Sequence, residues 1–282
     1  MKILVTGASG QLGTDLTEEL RRRGHTVLGT DADTLDVTDE KSVNEYFENQ
    51  KPQCVIHCAA YTNVDLAEEQ EDICRKINSA GTRNIAEACK KIGAKIIYPS
   101  TDYVFCGEGE TPFKPDDTQA PINVYGQTKY EGELAVLETP KHFIVRISWV
   151  FGRGGKNFVK TMLRLSETHS KLTVVDDQIG APTYTRDLSK LLADMAESEK
   201  YGIYHASNSG EYISWYQFAK AIFEEAGKNV EVLPVSSEEY GAKARRPFNS
   251  RMDCSALKKN GFEPMPHWRD ALKRYLKETE VI

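Results

Sequence analysis

Met1-Lys2-Ile3-Leu4-Val5-Thr6-Gly7-Ala8-Ser9-Gly10-Gln11-Leu12-Gly13 opens the chain and decides its fold. Ile3–Thr6 is a short apolar run, which predicts a strand. Gln11–Arg23 has helical spacing and stops near Gly24, which predicts a helix. Between them lie three glycines spaced Gly-x-x-Gly-x-x-Gly. Gly7 permits a tight turn, Gly10 lets backbone approach a pyrophosphate, and Gly13 lets the helix sit close to the sheet. The helix start offers unpaired N–H groups and partial positive charge to an anion. A glycine triplet alone is weak evidence. Its place between strand and helix is what points to a dinucleotide.

Outward from this loop, apolar runs alternate with amphipathic ones. Thr26–Thr30, Cys54–Cys58, Lys95–Tyr98 and Phe143–Ser148 read as strands. Glu40–Gln50, residues 65–92 and Tyr125–Leu137 read as helices. Pro99 is expected to stop the fourth strand. This alternation implies an α/β fold, a Rossmann-type doubly wound parallel sheet with helices on both faces. Residues 106–124 hold three prolines and two glycines and read as a surface excursion. After residue 150 the rhythm loosens. Helices are expected over Phe158–Thr168, Asp187–Ser198, Trp215–Ala226 and Trp268–Lys277, with short strands at Leu172–Val175, Ile203–His205 and Glu231–Val235. Glu238–Ser250 has no clear period. The expected division is a dinucleotide-binding domain over 1–150, with parts of 172–210 returning to it, and a small α/β substrate lobe over most of 151–282.

Bulk properties narrow the function. A net charge of −6 over 282 residues lacks the basic footprint of a nucleic-acid scaffold. The six cysteines form no Cys-x-x-Cys pair and no zinc-site spacing, so free thiols in a reducing compartment are expected. The first apolar run is too short for a signal peptide, and no stretch is long enough to span a membrane. A cytoplasmic location follows as the expectation.

The second strand ends at Asp31. A carboxylate there would accept hydrogen bonds from a ribose 2′-hydroxyl and repel a 2′-phosphate, which favours NAD over NADP. Asp31 also reads as a plain turn residue. Asp36-Val37 follows in a loop at the adenine end. Ala59-Ala60-Tyr61-Thr62 follows the third strand, at the carboxyl edge where such folds bind ligands.

Thr101, Tyr125 and Lys129 suggest one reaction type. Tyr125-x-x-x-Lys129 puts both side chains on one helix face. A phenol of pKa about 10 is a poor acid–base group at neutral pH, and a nearby ammonium is expected to lower it. The pair can then exchange a proton with a carbonyl or alcohol oxygen. Thr101, after the fourth strand, can hydrogen-bond the same oxygen, while a nicotinamide supplies the hydride. A Tyr–Lys pair at this spacing is common on inert surface helices. Only its company gives it weight.

Several further segments carry a resemblance: Ala59–Asp65, Ser100-Thr101-Asp102-Tyr103-Val104-Phe105, Tyr125–Lys129, Arg146–Phe151, Asp177–Thr183 and Arg246–Arg251. With the glycine loop they make the chain similar to the extended short-chain dehydrogenase/reductases, and within them to the dTDP-4-dehydrorhamnose reductases. The resemblance implies reduction of a C4 ketone on a nucleotide-linked deoxysugar by NADH or NADPH. Tyr125 would give the proton, Lys129 would hold the nicotinamide ribose, and Thr101 would polarise the ketone. It places Gly10, Gln11, Leu12, Asp31, Asp36, Val37, Ala60, Tyr61 and Thr62 at the cofactor. Thr101, Asp102, Tyr103 and Trp149 fall at the sugar nucleotide, although Trp149 also reads as a core aromatic. Some members form magnesium-bridged dimers through glutamates. Asp15 and Arg186 stand at the aligned positions here, and a cation cannot ligate magnesium, so no metal site is expected. A homodimer stays open.

Rival readings remain. A 4,6-dehydratase would want an acid directly after Asp102, where this chain has Tyr103. A sugar-nucleotide epimerase reuses the same Tyr and Lys. A regulatory subunit resembling that of methionine adenosyltransferase would bind without catalysing.

Overall fold

The computed structural model describes residues 1–282. The first half builds the sheet. Its elements run β1 (Lys2–Thr6), α1 (Gln11–Arg22), β2 (Thr26–Thr30), α2 (Glu40–Gln50) and β3 (Cys54–His57). They continue through α3 (Val64–Ala67), α4 (Glu71–Arg75), a π-turn (Lys76–Gly81) and α5 (Thr82–Ile92). β4 (Lys95–Thr101), α6 (Val124–Leu137) and β5 (His142–Ile147) complete it. With β10 (Gly202–Ala206) the strands form one six-stranded sheet, ordered β10-β5-β4-β3-β1-β2. All its pairings are parallel, as the alternating pattern requires. The order reverses between β1 and β3, directly beyond which Gly7 lies.

Alternation along the strands fills both faces. Ile3 and Val5 of β1 point to a core shared with Leu16 and Leu20 of α1. Leu4, between them, points to the opposite core with Val43, Phe47 and Ile85 from α2 and α5.

The second half builds the lobe from β6 (Val150–Phe151), α7 (Phe158–Ser166), β7 (Lys171–Val175), β8 (Ile179–Gly180) and β9 (Thr183–Tyr184). Then α8 (Thr185–Ala196) runs back to the sheet, where Leu188, Leu191 and Leu192 join the core beside α1. β10 follows at the sheet edge. β11 (Ile213–Ser214), α9 (Trp215–Glu225), β12 (Glu231–Val235), α10 (Ser237–Tyr240), α11 (Ser255–Lys259) and α12 (Trp268–Glu278) finish the chain. Phe151, Phe218, Trp268 and Tyr275 centre a separate lobe core. No helix is long and apolar enough to cross a membrane.

Two expectations fail locally. β4 runs through Pro99 to Thr101. Beyond Ile97 it pairs only with β5, so proline's missing N–H leaves no β3 partner wanting. The expected helix over 65–92 is interrupted once, between α3 and α4; from Glu71 to Ile92 the backbone stays helical, with the π-helical stretch joining α4 to α5. Asn63 caps α3 by accepting from Leu66 N–H, and a new start follows at Glu71.

Candidate active site

The glycine loop is shaped by contacts that exclude a side chain. Gly7 has φ +65, and a Cβ on it would lie 2.8 Å from the Ala59 nitrogen. A Cβ on Gly13 would lie 2.1 Å from the Gly7 oxygen. Gly10 caps α1 without any side-chain bond. Asn63, Asn123 and Asn157, by contrast, cap α3, α6 and α7 through their side chains. The first N–H groups of α1 are therefore open to an anion, which is the cradle a dinucleotide's phosphates fit.

Around this cradle the other expected cofactor residues divide. Asp31 accepts from the Ser9 N–H through both carboxylate oxygens, at 3.1 and 3.2 Å, so it fastens the glycine loop. Asp36 is turned onto Thr38, whose N–H and hydroxyl lower its pKa. Val37 is buried against Gly81 of the π-turn. Ala60, Tyr61 and Thr62 follow β3 directly after Ala59, which packs against Gly7. Leu12 is buried in the core. The Gln11 side chain faces the lobe: its amide donates to the Val150 carbonyl at 3.2 Å and accepts from Asn157 Nδ2 at 2.9 Å. Only its backbone N–H remains for a cofactor.

Three neighbouring segments bring the chemical groups together. Thr101 ends β4, and its hydroxyl accepts from Tyr103 N–H at 3.2 Å and donates to Asp102 at 3.1 Å. Tyr125 stands in the first turn of α6, which Asn123 caps by accepting from Gly126 N–H at 2.7 Å. The Tyr103 and Tyr125 rings meet edge to face, with centroids 5.7 Å apart. Lys129, one turn further, is buried. Its Nζ donates to the Pro99 carbonyl at 2.9 Å and sits 3.9 Å over the Tyr98 ring.

The electrostatics correct one expectation. Tyr125 is not held below its ordinary pKa: burial pushes it up, opposed by the adjacent Thr101 hydroxyl. Lys129 is itself lowered to about 7 by burial. In this state the phenol keeps its proton at neutral pH. Asp102 is 3% exposed, with one carboxylate oxygen unpartnered. Burial raises it to about 6, against the pull of Ser250 and Thr101.

Trp149 leaves the end of β5 with φ +48, a conformation a bulky residue adopts only under constraint. It stacks on Trp215 of α9 with centroids 3.8 Å apart. A Cβ on Gly180 would come 2.9 Å from the Trp149 indole, so glycine there makes room for it.

Some positions escaped sequence reasoning. Asn78 in the π-turn accepts from Tyr61 N–H at 2.8 Å, and donates to the Tyr61 carbonyl at 3.0 Å and to Thr128 of α6 at 3.2 Å. Gly81, inside an apparently continuous helical pattern, was the available signal. Nothing in the sequence paired Trp215 with Trp149 or Asn157 with Gln11. At the aligned magnesium positions, Asp15 accepts from Arg153 at 3.0 Å, and Arg186 pairs with Glu18 and Glu278.

The sequence matches the RmlD substrate binding domain family over residues 1–281. It is 42% identical over 277 residues to a dTDP-4-dehydrorhamnose reductase of Streptomyces griseus, covering 95% of this chain and 91% of that one. The chain belongs to the dTDP-4-dehydrorhamnose reductase family. It is also 45% identical to the spore coat polysaccharide biosynthesis protein SpsK of Bacillus subtilis, over 98% of this chain and 97% of that one. A crystal structure of the dTDP-4-dehydrorhamnose reductase of Bacillus anthracis in complex with NADP matches with a TM-score of 0.95 at 45% identity, over 98% of this chain and 99% of that one. The fold expected from the glycine loop is thus that of a reductase family.

Proposed function

We propose that this chain reduces the C4 ketone of dTDP-4-dehydro-L-rhamnose to dTDP-L-rhamnose with NADH or NADPH. The observation that carries this reading is the meeting of Thr101, a protonated Tyr125 and the buried Lys129 beyond an uncapped phosphate cradle. Residues 1–150 hold the cofactor and most of 151–282 hold the sugar nucleotide. Gly7, Gly10 and Gly13 admit the phosphates, Asp31 and the Asp36-Val37 loop border the adenosine, and Ala60, Tyr61 and Thr62 line the far wall.

When bound, the reduced nicotinamide supplies a hydride to C4. The Thr101 hydroxyl turns from Asp102 to the ketone oxygen and polarises it. Tyr125 gives its phenolic proton to that oxygen as negative charge develops there. Its high pKa keeps the proton available until then. The resulting phenolate lies one helical turn from Lys129, which favours the anion and turns from Pro99 to the nicotinamide ribose. Solvent then restores the proton. Asp102, Tyr103 and Trp149 border the sugar nucleotide. The free cysteines suit a cytoplasmic enzyme.

The discriminating experiment is a stoichiometry. One NADH or NADPH should be consumed per dTDP-4-dehydro-L-rhamnose converted. Epimerised product without net cofactor oxidation would favour the epimerase. Tight ligand binding without any conversion would favour the non-catalytic subunit.

A further inference from the structure

Along α6, Tyr125, Lys129 and Glu133 are spaced four residues apart, one above another on the same face. Arg146 of β5 grips Glu133 with two parallel bonds, Nε to one oxygen at 2.9 Å and Nη2 to the other at 2.8 Å. Both side chains are 1% exposed. The remaining Nη1 donates to the Pro115 carbonyl at 3.0 Å and lies 3.5 Å from His205 of β10. The guanidinium also rests 4.9 Å from the Phe105 ring centroid. One buried pair thus ties α6, two strands and the 106–124 excursion together.

Stability alone is a weak reason to bury such a pair. Taking both charges out of water costs several kcal/mol per ion, and apolar side chains of similar volume often do as well. The pair supplies something an apolar pair lacks, a fixed anion one turn from Lys129. The other groups facing Lys129 supply none before the reaction, when Tyr125, one turn away on α6, still holds its proton. They are the Pro99 carbonyl, the Tyr98 ring, the neutral His57, and the thiols of Cys58 and Cys74. Burial pushes both thiols up and so keeps them protonated. Glu133 itself faces Arg146, with His205 beyond the guanidinium, and its charge also reaches the Tyr98 phenol. Helix placement is equally tight at this level. A Cβ on Gly132 would lie 2.4 Å from the Tyr98 hydroxyl and 2.7 Å from the Asn78 carbonyl.

We infer that Glu133, clamped by Arg146, is a positioning residue for the reduction: it holds the charge on Lys129 without touching substrate or cofactor. This rests on the reading of Lys129 given above. Burial draws the Lys129 ammonium toward its neutral form, and Glu133 opposes that. Without the anion, Lys129 loses its proton at lower pH.

The test is the pH profile of kcat/KM for the cofactor. Glu133→Gln should move the basic limb down by about one pH unit, which corresponds to a tenfold loss on that limb. On the acid side the variant should approach wild type, and Glu133→Asp should restore most of the limb. A folded Glu133→Gln with the wild-type profile overturns the inference. Should it not fold, Glu133→Leu with Arg146→Met replaces the pair by apolar groups and should give a smaller shift of the same sign. A wild-type profile there, or failure of both variants to fold, also overturns it, since the pair is then structural. Lys129→Met separates the two readings. If it keeps full turnover, the role given to Lys129 fails. If it is inactive while folded Glu133 variants behave as wild type, only the role of Glu133 fails.

Discussion

Tyr103 meets Tyr125 edge to face, ring centroids 5.7 Å apart and planes at 79°. If Tyr125 carries the proton as proposed, the Tyr103 ring, standing where a dehydratase would want an acid, is placed to steer it. Tyr103→Ala should free the Tyr125 ring and lower kcat about tenfold or more, because small misplacements of reacting groups are expensive. Tyr103→Phe should keep most of the activity. Steady-state kinetics on both variants check this, and equal losses would show that the hydroxyl matters and the ring contact does not.

Gly13→Ala should abolish tight cofactor binding. Its Cβ would lie 2.1 Å from the Gly7 oxygen and within 2.9 Å of Ala8 backbone, so the loop itself must shift. Fluorescence titration with NADH should give a dissociation constant raised by about a hundredfold, the scale of roughly 3 kcal/mol. A wild-type constant would contradict the phosphate-cradle reading.

Asp102 should contribute a loss of stability as pH rises. Its carboxyl pKa is raised by burial from 3.8 to about 6, so the folded state holds the proton more tightly than the unfolded one. Between these values the folded state binds more protons, and stability is lost with rising pH. The full cost, on the order of 3 kcal/mol, is present above about pH 6. Asp102→Asn should therefore raise Tm at pH 7 and match wild type near pH 4. Thermal melts at the two pH values measure the difference.

Asp31→Ala should change cofactor preference. The carboxylate sits at the end of β2 and is fastened to Ser9. Removing it relieves repulsion of a 2′-phosphate and loosens the loop for both cofactors. KM for NADH should rise by about tenfold more than KM for NADPH. Parallel changes in the two would show that Asp31 only supports the loop.

The sheet was legible because its signals are local. A strand, three glycines and an amphipathic helix lie within the first 23 residues, and the same alternation repeats up to Phe143. Tyr125 and Lys129 were legible for a similar reason, since helical spacing alone puts them on one face. What stayed hidden depends on partners distant in sequence. Pro99 reads as a strand end, yet β4 carries it because β3 has already diverged there. The raised pKa of Tyr125 comes from burial by packed segments, which no spacing reveals. Trp149 finds Trp215 across the lobe, and Gln11 finds Asn157 146 residues away.

Tyr125→Phe is the most direct test of the central claim, that this phenol protonates the reduced sugar. The substitution removes one hydroxyl and keeps the ring against Tyr103. Single-turnover oxidation of NADH or NADPH with dTDP-4-dehydro-L-rhamnose should slow by about a hundredfold to ten-thousandfold, the range of a lost general acid. The cofactor dissociation constant, measured in the same preparation, should stay near that of wild type. An unchanged single-turnover rate would contradict the account.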